Sequence, residues 1–354
     1  MAELNQAKKE AFAGKMVGIL NGGMLALMTS IGRQTGLFET MATLSPSTSE
    51  RIAQAAGLNE RYVREWLGAM VTGGIVEYDP QAQTYRLPPE HAAVLTNAAG
   101  PRNLARFTQY IPMLAEVEAD IIACFRNGGG VPYAKYPRFQ TVMAESSALR
   151  FDHLLVEKIV PLTGKGEALA RGIEVLDIGC GQGYALNLLA RAFPHSRFTG
   201  YDFSTGGIAA AQAEAQALGN TNVRFAIQDV ATFQESGRYS LITAFDVIHD
   251  QAKSAEVLRA VANALTSEGT FLMMDVRASS ELAGNLTYPI APFLYGISTL
   301  HCMTVSLALD GAGLGTVWGE QKALSMLANA GFPQVEVQRL DEEPLNNFYV
   351  ARKA

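Results

Sequence analysis

The sequence predicts an α/β fold built on a mostly parallel sheet, preceded by an all-helical region that ends in a winged helix. Three observations carry this. From residue 166 onward, strand-like apolar runs alternate with helix-like segments, the pattern of a parallel sheet with crossover helices. Within that region Gly179, Gly181 and Gly183 join an apolar run to a helix. Residues 1–95 lack the alternation and read as helices followed by a short hairpin.

At 354 residues the chain is long enough for about two domains. We divide it into residues 1–95 (N-terminal helices and winged helix, with a dimerisation role), 96–165 (a helical connector) and 166–354 (the α/β domain, with an insertion at 278–318). A net charge of −6 argues against a general phosphate-backbone binder, which needs a basic face. Cys124, Cys180 and Cys302 lie far apart, with no C-x-x-C pair. Neither a disulfide framework nor a zinc site is expected, and a reducing cytoplasm fits best.

Residues 5–41 read as two apolar helices, 5–20 and 23–41. Met16–Gly32 carries no charge, yet its 17 residues fall short of the ~20 a spanning helix needs. A buried helix packed against another subunit is the expectation. Thr48 or Ser49 caps the next helix and Gly57 ends it; Asn59 caps another, which stops at Gly73 and Gly74. Ile75 to Tyr78, a turn at Asp79 and Pro80, and Thr84 to Leu87 make the hairpin. Arg61 and Arg64 on the second helix would meet DNA in a nucleic-acid reading, but Glu60 and Glu65 interleave with them. A structural role is favoured.

Pro101, Pro112, Pro132 and Gly128 to Gly130 punctuate the connector. Its Tyr133, Tyr136 and Phe139 either roof a ligand site or form an ordinary apolar face. Beyond it, strands are expected at Ile173–Leu176, Phe198–Tyr201, Asn222–Ile227, Tyr239–Phe245, Thr270–Met274, Val335–Leu340 and Asn347–Arg352. The last two are joined by too short a loop for a parallel crossover, so the final strand runs antiparallel. Asp177, Asp202, Asp229, His249 and Asp275 fall at the carboxyl ends of strands, where ligands bind in such sheets.

The glycine spacing separates two ligand types. A dinucleotide fingerprint G-x-G-x-x-G counted from Gly179 requires glycine where Tyr184 stands, and counted from Gly181 it requires glycine at Leu186. What remains, Asp177-x-Gly-x-Gly-x-Gly with Asp202 ending the next strand, resembles motif I of the class I S-adenosylmethionine-dependent methyltransferases. With the winged helix in front, the whole chain resembles bacterial members with an N-terminal winged-helix domain, including a mycobacterial type, and is similar in layout to small-molecule O-methyltransferases. The resemblance implies a Rossmann-like seven-stranded methyltransferase sheet and S-adenosyl-L-methionine as cofactor, leaving as S-adenosyl-L-homocysteine. It implies a cofactor site of Asp177, Gly179, Gly181, Gly183, Asp202, Phe203, Gln228, Asp229, Val230 and Phe245, with Asp202 on the ribose, Asp229 on the adenine amine and Phe203 stacking on adenine.

For the acceptor, His249 is the expected base, paired with Asp250, since imidazole removes a proton near neutral pH; capping the next helix or satisfying a buried carbonyl is its structural alternative. The 278–318 insertion is expected to supply an acceptor pocket from Tyr295, His301, Cys302 and Trp318, joined by Tyr133. Its aromatic content suggests an apolar or aromatic acceptor methylated at O, S or N. No metal is expected, because adjacent residues such as His301 and Cys302 seldom ligate one ion. The expected partners are thus a small-molecule acceptor and a second copy of the chain, with no membrane and no nucleic acid. The alternative is a winged-helix DNA-binding regulator using S-adenosylmethionine as effector; a nicotinamide-dependent reductase is disfavoured by Tyr184.

Overall fold

The computed structural model describes residues 4–353. Its contacts separate into a unit ending at Pro112 and a unit beginning at Met113. The first holds α1 (Gln6–Gln34), α2 (Leu37–Thr43), α3 (Ser49–Ala56), α4 (Glu60–Thr72), β1 (Glu77–Asp79) and β2 (Thr84–Arg86), followed by short helices. Thr48 Oγ1 accepts from Arg51 N to start α3, which ends at Gly57 in the left-handed region, and Asn59 Oδ1 accepts from Arg61 N to start α4. β1 and β2 pair antiparallel as the wing. Ile52, Val63, Trp66, Leu67 and Met70 form the core with Phe38 and Met41.

One expectation about residues 5–41 is corrected. Gly22 and Gly23 lie inside one continuous α1, and the chain breaks instead at Gly36, with φ 72°. A helical glycine costs about 1 kcal/mol relative to alanine, too little to interrupt a ladder that runs on both sides. Within one copy of the chain α1 is largely exposed. Among its described residues only Thr29, Ser30 and Gly32 are buried, while Phe12 and Leu20 are 61% and 66% exposed. The winged-helix core is met only from Leu25 onward, so the first two-thirds of α1 has nothing of that core to cover it. By length and composition alone α1 would also suffice to cross a membrane, with a mean hydropathy of 1.4 over 18 residues.

The second unit is built on one sheet of β3 (Glu174–Ile178), β4 (Arg197–Asp202), β5 (Val223–Ile227), β6 (Tyr239–Phe245), β7 (Leu265–Val276), β8 (Gln334–Leu340) and β9 (Glu343–Arg352). Their order is β5-β4-β3-β6-β7-β9-β8. All pairs are parallel except those of β9, antiparallel to both β7 and β8, so the expected fold class stands. Alternate residues supply the two faces. Leu176, Ile242, Phe271 and Met273 join one core with Val257, Val261 and Leu327; Val175, Leu241, Leu272 and Met274 join the other with Leu186, Leu189 and Ile208. Period-2 patterning on both faces makes the strands near-continuous apolar runs. Chain order reverses between β3 and β6, which opens a crevice at their carboxyl ends.

The helix Phe139–Leu154, read from sequence as connector, belongs to this unit. Its Arg150 is buried; Nε donates to Glu343 Oε2 at 2.8 Å and Nη1 to Asp246 Oδ2 at 3.0 Å. Asn346 Nδ2 donates to Asp246 Oδ1 at 2.7 Å, so one guanidinium fixes the ends of β6 and β9 to the helix. Arg150→Met should destabilise this unit by about 3–5 kcal/mol, because two buried carboxylates lose their cation. Thermal unfolding checks it: a melting point unchanged within 2 °C, as a lone surface pair would give, refutes the assignment.

Candidate active site

The crevice is lined by Asp177, Gly179, Gly181, Asp202, Phe203, Gln228, Asp229, Val230, Phe245 and Asp250, with Tyr133 and Phe139 from the connector. Asp177 ends β3 buried, its Oδ1 accepting from Thr243 Oγ1 at 2.6 Å. Burial pushes its carboxyl up to about 7 against that hydrogen bond. The turn that follows is held by Gly179 N donating to Tyr201 O at 2.7 Å. Gly179 has φ 65°, and a Cβ there would stand 2.5 Å from Val247, so only glycine fits. Gly181, φ 54°, would bring a Cβ only to 3.5 Å from Gln140 Oε1; its amide donates to Asp202 Oδ2 at 2.9 Å.

Gly183 differs from the expectation. It does not line the crevice; it starts the helix Tyr184–Ala192 at φ 72°, and a Cβ would meet Ala211 and Phe225 at 2.6 Å. Its role is helix-to-sheet packing. Asp202, ending β4, accepts Ser204 N on Oδ1 at 2.8 Å beside the Gly181 bond, and burial still raises its pKa against those bonds. Asp229 Oδ1 accepts from Ala231 N at 2.8 Å. Phe203 meets Tyr133 edge-on at 5.3 Å.

His249 sits in the turn Ile248–Asp250 after β6, buried behind the crevice rather than lining it. Its Nδ1 donates to Asp275 Oδ1, at the end of β7, at 2.7 Å. Its Nε2 lies 3.3 Å from Asp250 Oδ1, without hydrogen-bond alignment. Burial lowers the imidazole pKa, but the Asp275 and Asp250 carboxylates outweigh it and the net shift is well upward. The sequence reading paired His249 with Asp250 alone; Asp275 is its aligned partner, and Asp250 is the member of the group that lines the crevice.

The acceptor-side expectations divide. Tyr133 lines the crevice. His301 is buried against it, stacked on Phe139 at 3.7 Å and edge-on to Tyr133 at 5.3 Å, and burial lowers its pKa to about 4. Cys302 follows in the same short π-helix, Ser298–Cys302, its thiol pushed up to about 11 by burial. Neither lines the crevice directly. Donor atoms of His249, Asp250 and Cys302 nonetheless lie within 4.8 Å of one another, a grouping their spacing in the sequence does not suggest. Tyr295 and Trp318 do not reach the crevice. Tyr295 OH accepts from Asn285 Nδ2 at 3.2 Å, and Trp318 is part of the sheet core.

Sequence reasoning missed Gln140, Met143, Ala144, Ser147 and Phe151, which line the crevice from the Phe139–Leu154 helix. Their 3- and 4-residue spacing was a readable signal of one helix face. Asp246, also lining the crevice, adopts φ 57°, unusual for a side chain with a Cβ, and no sequence pattern marked it.

Comparison with known proteins agrees with this architecture. Residues 23–97 match the model of the Rv2258c-like winged HTH domain, and residues 169–331 match that of a methyltransferase domain. The second unit carries a methyltransferase domain. The expected pairing of winged helix and class I methyltransferase is therefore borne out. A malonyl-[acyl-carrier protein] O-methyltransferase of Bacillus cereus is 27% identical over 146 residues, 41% of this chain and 49% of that protein. The chain thus spans about half the length of that curated relative. A putative O-methyltransferase structure from Nostoc punctiforme superposes with a TM-score of 0.72 at 19% identity, covering 96% of this chain and 98% of that one. Human N-acetylserotonin methyltransferase in complex with SAM gives a TM-score of 0.65 at 14% identity, covering 100% and 99%. At such identities the likeness is one of fold.

The crevice of the methyltransferase domain fits an adenosyl ligand on its own features. Gly181 leaves its backbone approachable, and the Asp202 carboxylate, with about four acceptor positions and two backbone donors on it, has capacity left for a vicinal diol. Asp229 retains the same kind of capacity for an exocyclic amine.

Proposed function

We propose that the chain is an S-adenosylmethionine-dependent methyltransferase acting on a small molecule. The observation that carries this is the joint placement of Gly179, Gly181, Asp202 and Asp229 around one crevice, with the His249–Asp275 pair behind its Asp250 wall. Bound there, S-adenosylmethionine supplies a methyl group on a sulfonium, which the acceptor's lone pair displaces in line as a neutral thioether leaves. Asp202 would hold the ribose hydroxyls, the Gly179–Gly181 turn would pass the methionine part, and Asp229 and Val230 would face the adenine. Phe203 and Tyr133 cover the crevice from water. Asp275 fixes His249 with its proton on Nδ1, so Nε2 is the basic atom; the acceptor's proton passes to the His249–Asp250 pair.

A homodimer in the cytoplasm completes the reading. Phe12, Met16, Val17, Ile19, Leu20 and Met24 are all exposed and fall within an arc of about 160° on α1. A second copy supplies a matching face, and light scattering that returned only monomer would refute it. Nucleic acid is not the partner we propose, since Arg61 and Arg64 are engaged by Glu65 and Glu60 of their own helix.

Calorimetry with S-adenosylhomocysteine and with NADH tests the cofactor class. Micromolar or tighter binding of the first and none of the second is expected; the reverse result sinks the reading.

A further inference from the structure

The crevice is lined by Asp177, Asp202, Asp229, Asp246 and Asp250, and none of the described residues lining it is Lys, Arg or His. The cations behind the wall do not reverse this. Arg150 stands between two carboxylates, Asp246 and Glu343. His249 likewise stands between Asp250 and Asp275, so each cluster keeps a net negative charge even with its base protonated. Asp250 Oδ1 and Asp275 Oδ2 are buried and accept no hydrogen bond, which leaves acceptor capacity unmatched next to the crevice. Low-dielectric walls focus such a field into a cleft. Aromatic rings at Tyr133, Phe139 and Phe245 add faces that favour cations and neutral apolar groups.

We propose that the reacting end of this crevice is selective for charge: it takes neutral or cationic acceptors and rejects those with a carboxylate or phosphate near the methylated atom. This rests on the methyl-transfer reading above and narrows it. A carboxylate brought there would be desolvated beside Asp250 with no guanidinium or ammonium to pair with, the condition in which burying an ion is most costly. An acyl-chain carboxyl, as on a malonyl group, is therefore disfavoured, although a malonyl-[acyl-carrier protein] O-methyltransferase is among the relatives in sequence.

The test uses two ligands that differ in charge at the reacting position. Sinefungin carries a protonated amine where the transferable methyl stands, and S-adenosylhomocysteine carries nothing there. Sinefungin should bind the wild-type protein at least about tenfold more tightly, and Asp250→Asn should cut that ratio at least about threefold with S-adenosylhomocysteine affinity retained. Equal affinities in the wild type, or a ratio indifferent to Asp250→Asn, overturn the proposal. Should that variant fail to fold, the wild-type ratio decides: a ratio of about tenfold or more supports the field, and equal affinities refute it. If neither ligand binds, the methyl-transfer reading itself has failed. The acceptor side is read by titrating 4-methylcatechol, dopamine and 3,4-dihydroxyphenylacetate into protein saturated with S-adenosylhomocysteine. Tightest binding by the acid overturns the proposal, and where none of the three binds the sinefungin ratio decides.

Discussion

Asp202→Ala is expected to weaken S-adenosylhomocysteine binding by roughly 100-fold or more. The carboxylate does two things in one place. It accepts from Gly181 N at 2.9 Å and Ser204 N at 2.8 Å, which sets the glycine turn, and it offers the remaining lone pairs to the ribose diol. Hydrogen bonds to an ionised group contribute about 1.5–3 kcal/mol each, so losing two to the ligand reaches that figure before any disorder of the turn is counted. Asp202→Asn keeps one carbonyl acceptor and should fall between wild type and alanine. Burial raises the pKa of Asp202, so wild-type affinity should begin to decline at a higher pH than an ordinary aspartate would give as the solution is acidified. Calorimetry at pH 8 and pH 5 reads both effects. An affinity within threefold of wild type in the alanine variant removes Asp202 from the site.

Much of this site was legible because the chain folds it from strand ends. Asp177, Asp202 and Asp229 each close a run whose apolar character is visible without tertiary knowledge, and a parallel sheet gathers such ends on one edge. The short link between β8 and β9 likewise dictated an antiparallel closing strand. What was not legible depends on long-range packing. Gly183 looks like its neighbours Gly179 and Gly181 in sequence, yet Ala211 and Phe225 claim the space beside it. Trp318 and Tyr295 lie in an aromatic-rich insertion, but the first fills the core and the second bonds Asn285. Asp275 was visible as a strand end; that it, and not Asp250, aligns with His249 follows from β6 and β7 being neighbours, which fixes the two strand ends side by side. Arg150 and Asp246 are 96 residues apart, and no local pattern links them.

His249→Ala should slow turnover by about 10²–10⁴-fold, the span that general-base assistance contributes, while S-adenosylhomocysteine affinity stays within about twofold because His249 does not line the crevice. The pH dependence follows from the direction of its shift. Carboxylates at 2.7 and 3.3 Å outweigh burial and hold the imidazole protonated well above its usual range, and the protonated form is not a base. Turnover should therefore climb through the alkaline side of neutrality, and that limb should vanish in the alanine variant. Stability runs the other way. A group whose folded pKa is raised contributes its full share below the unfolded value of about 6.5 and loses it as pH rises through the folded pKa. The melting-point gap between wild type and His249→Gln should accordingly be widest near pH 6 and shrink toward pH 10. A rate that is flat across the alkaline range, with a melting-point gap that does not narrow, would mean His249 is neutral in the fold and that Asp275 merely anchors a structural turn. Rate and stability report opposite protonation states of one imidazole, so their two pH profiles must cross over the same folded pKa if a single group governs both.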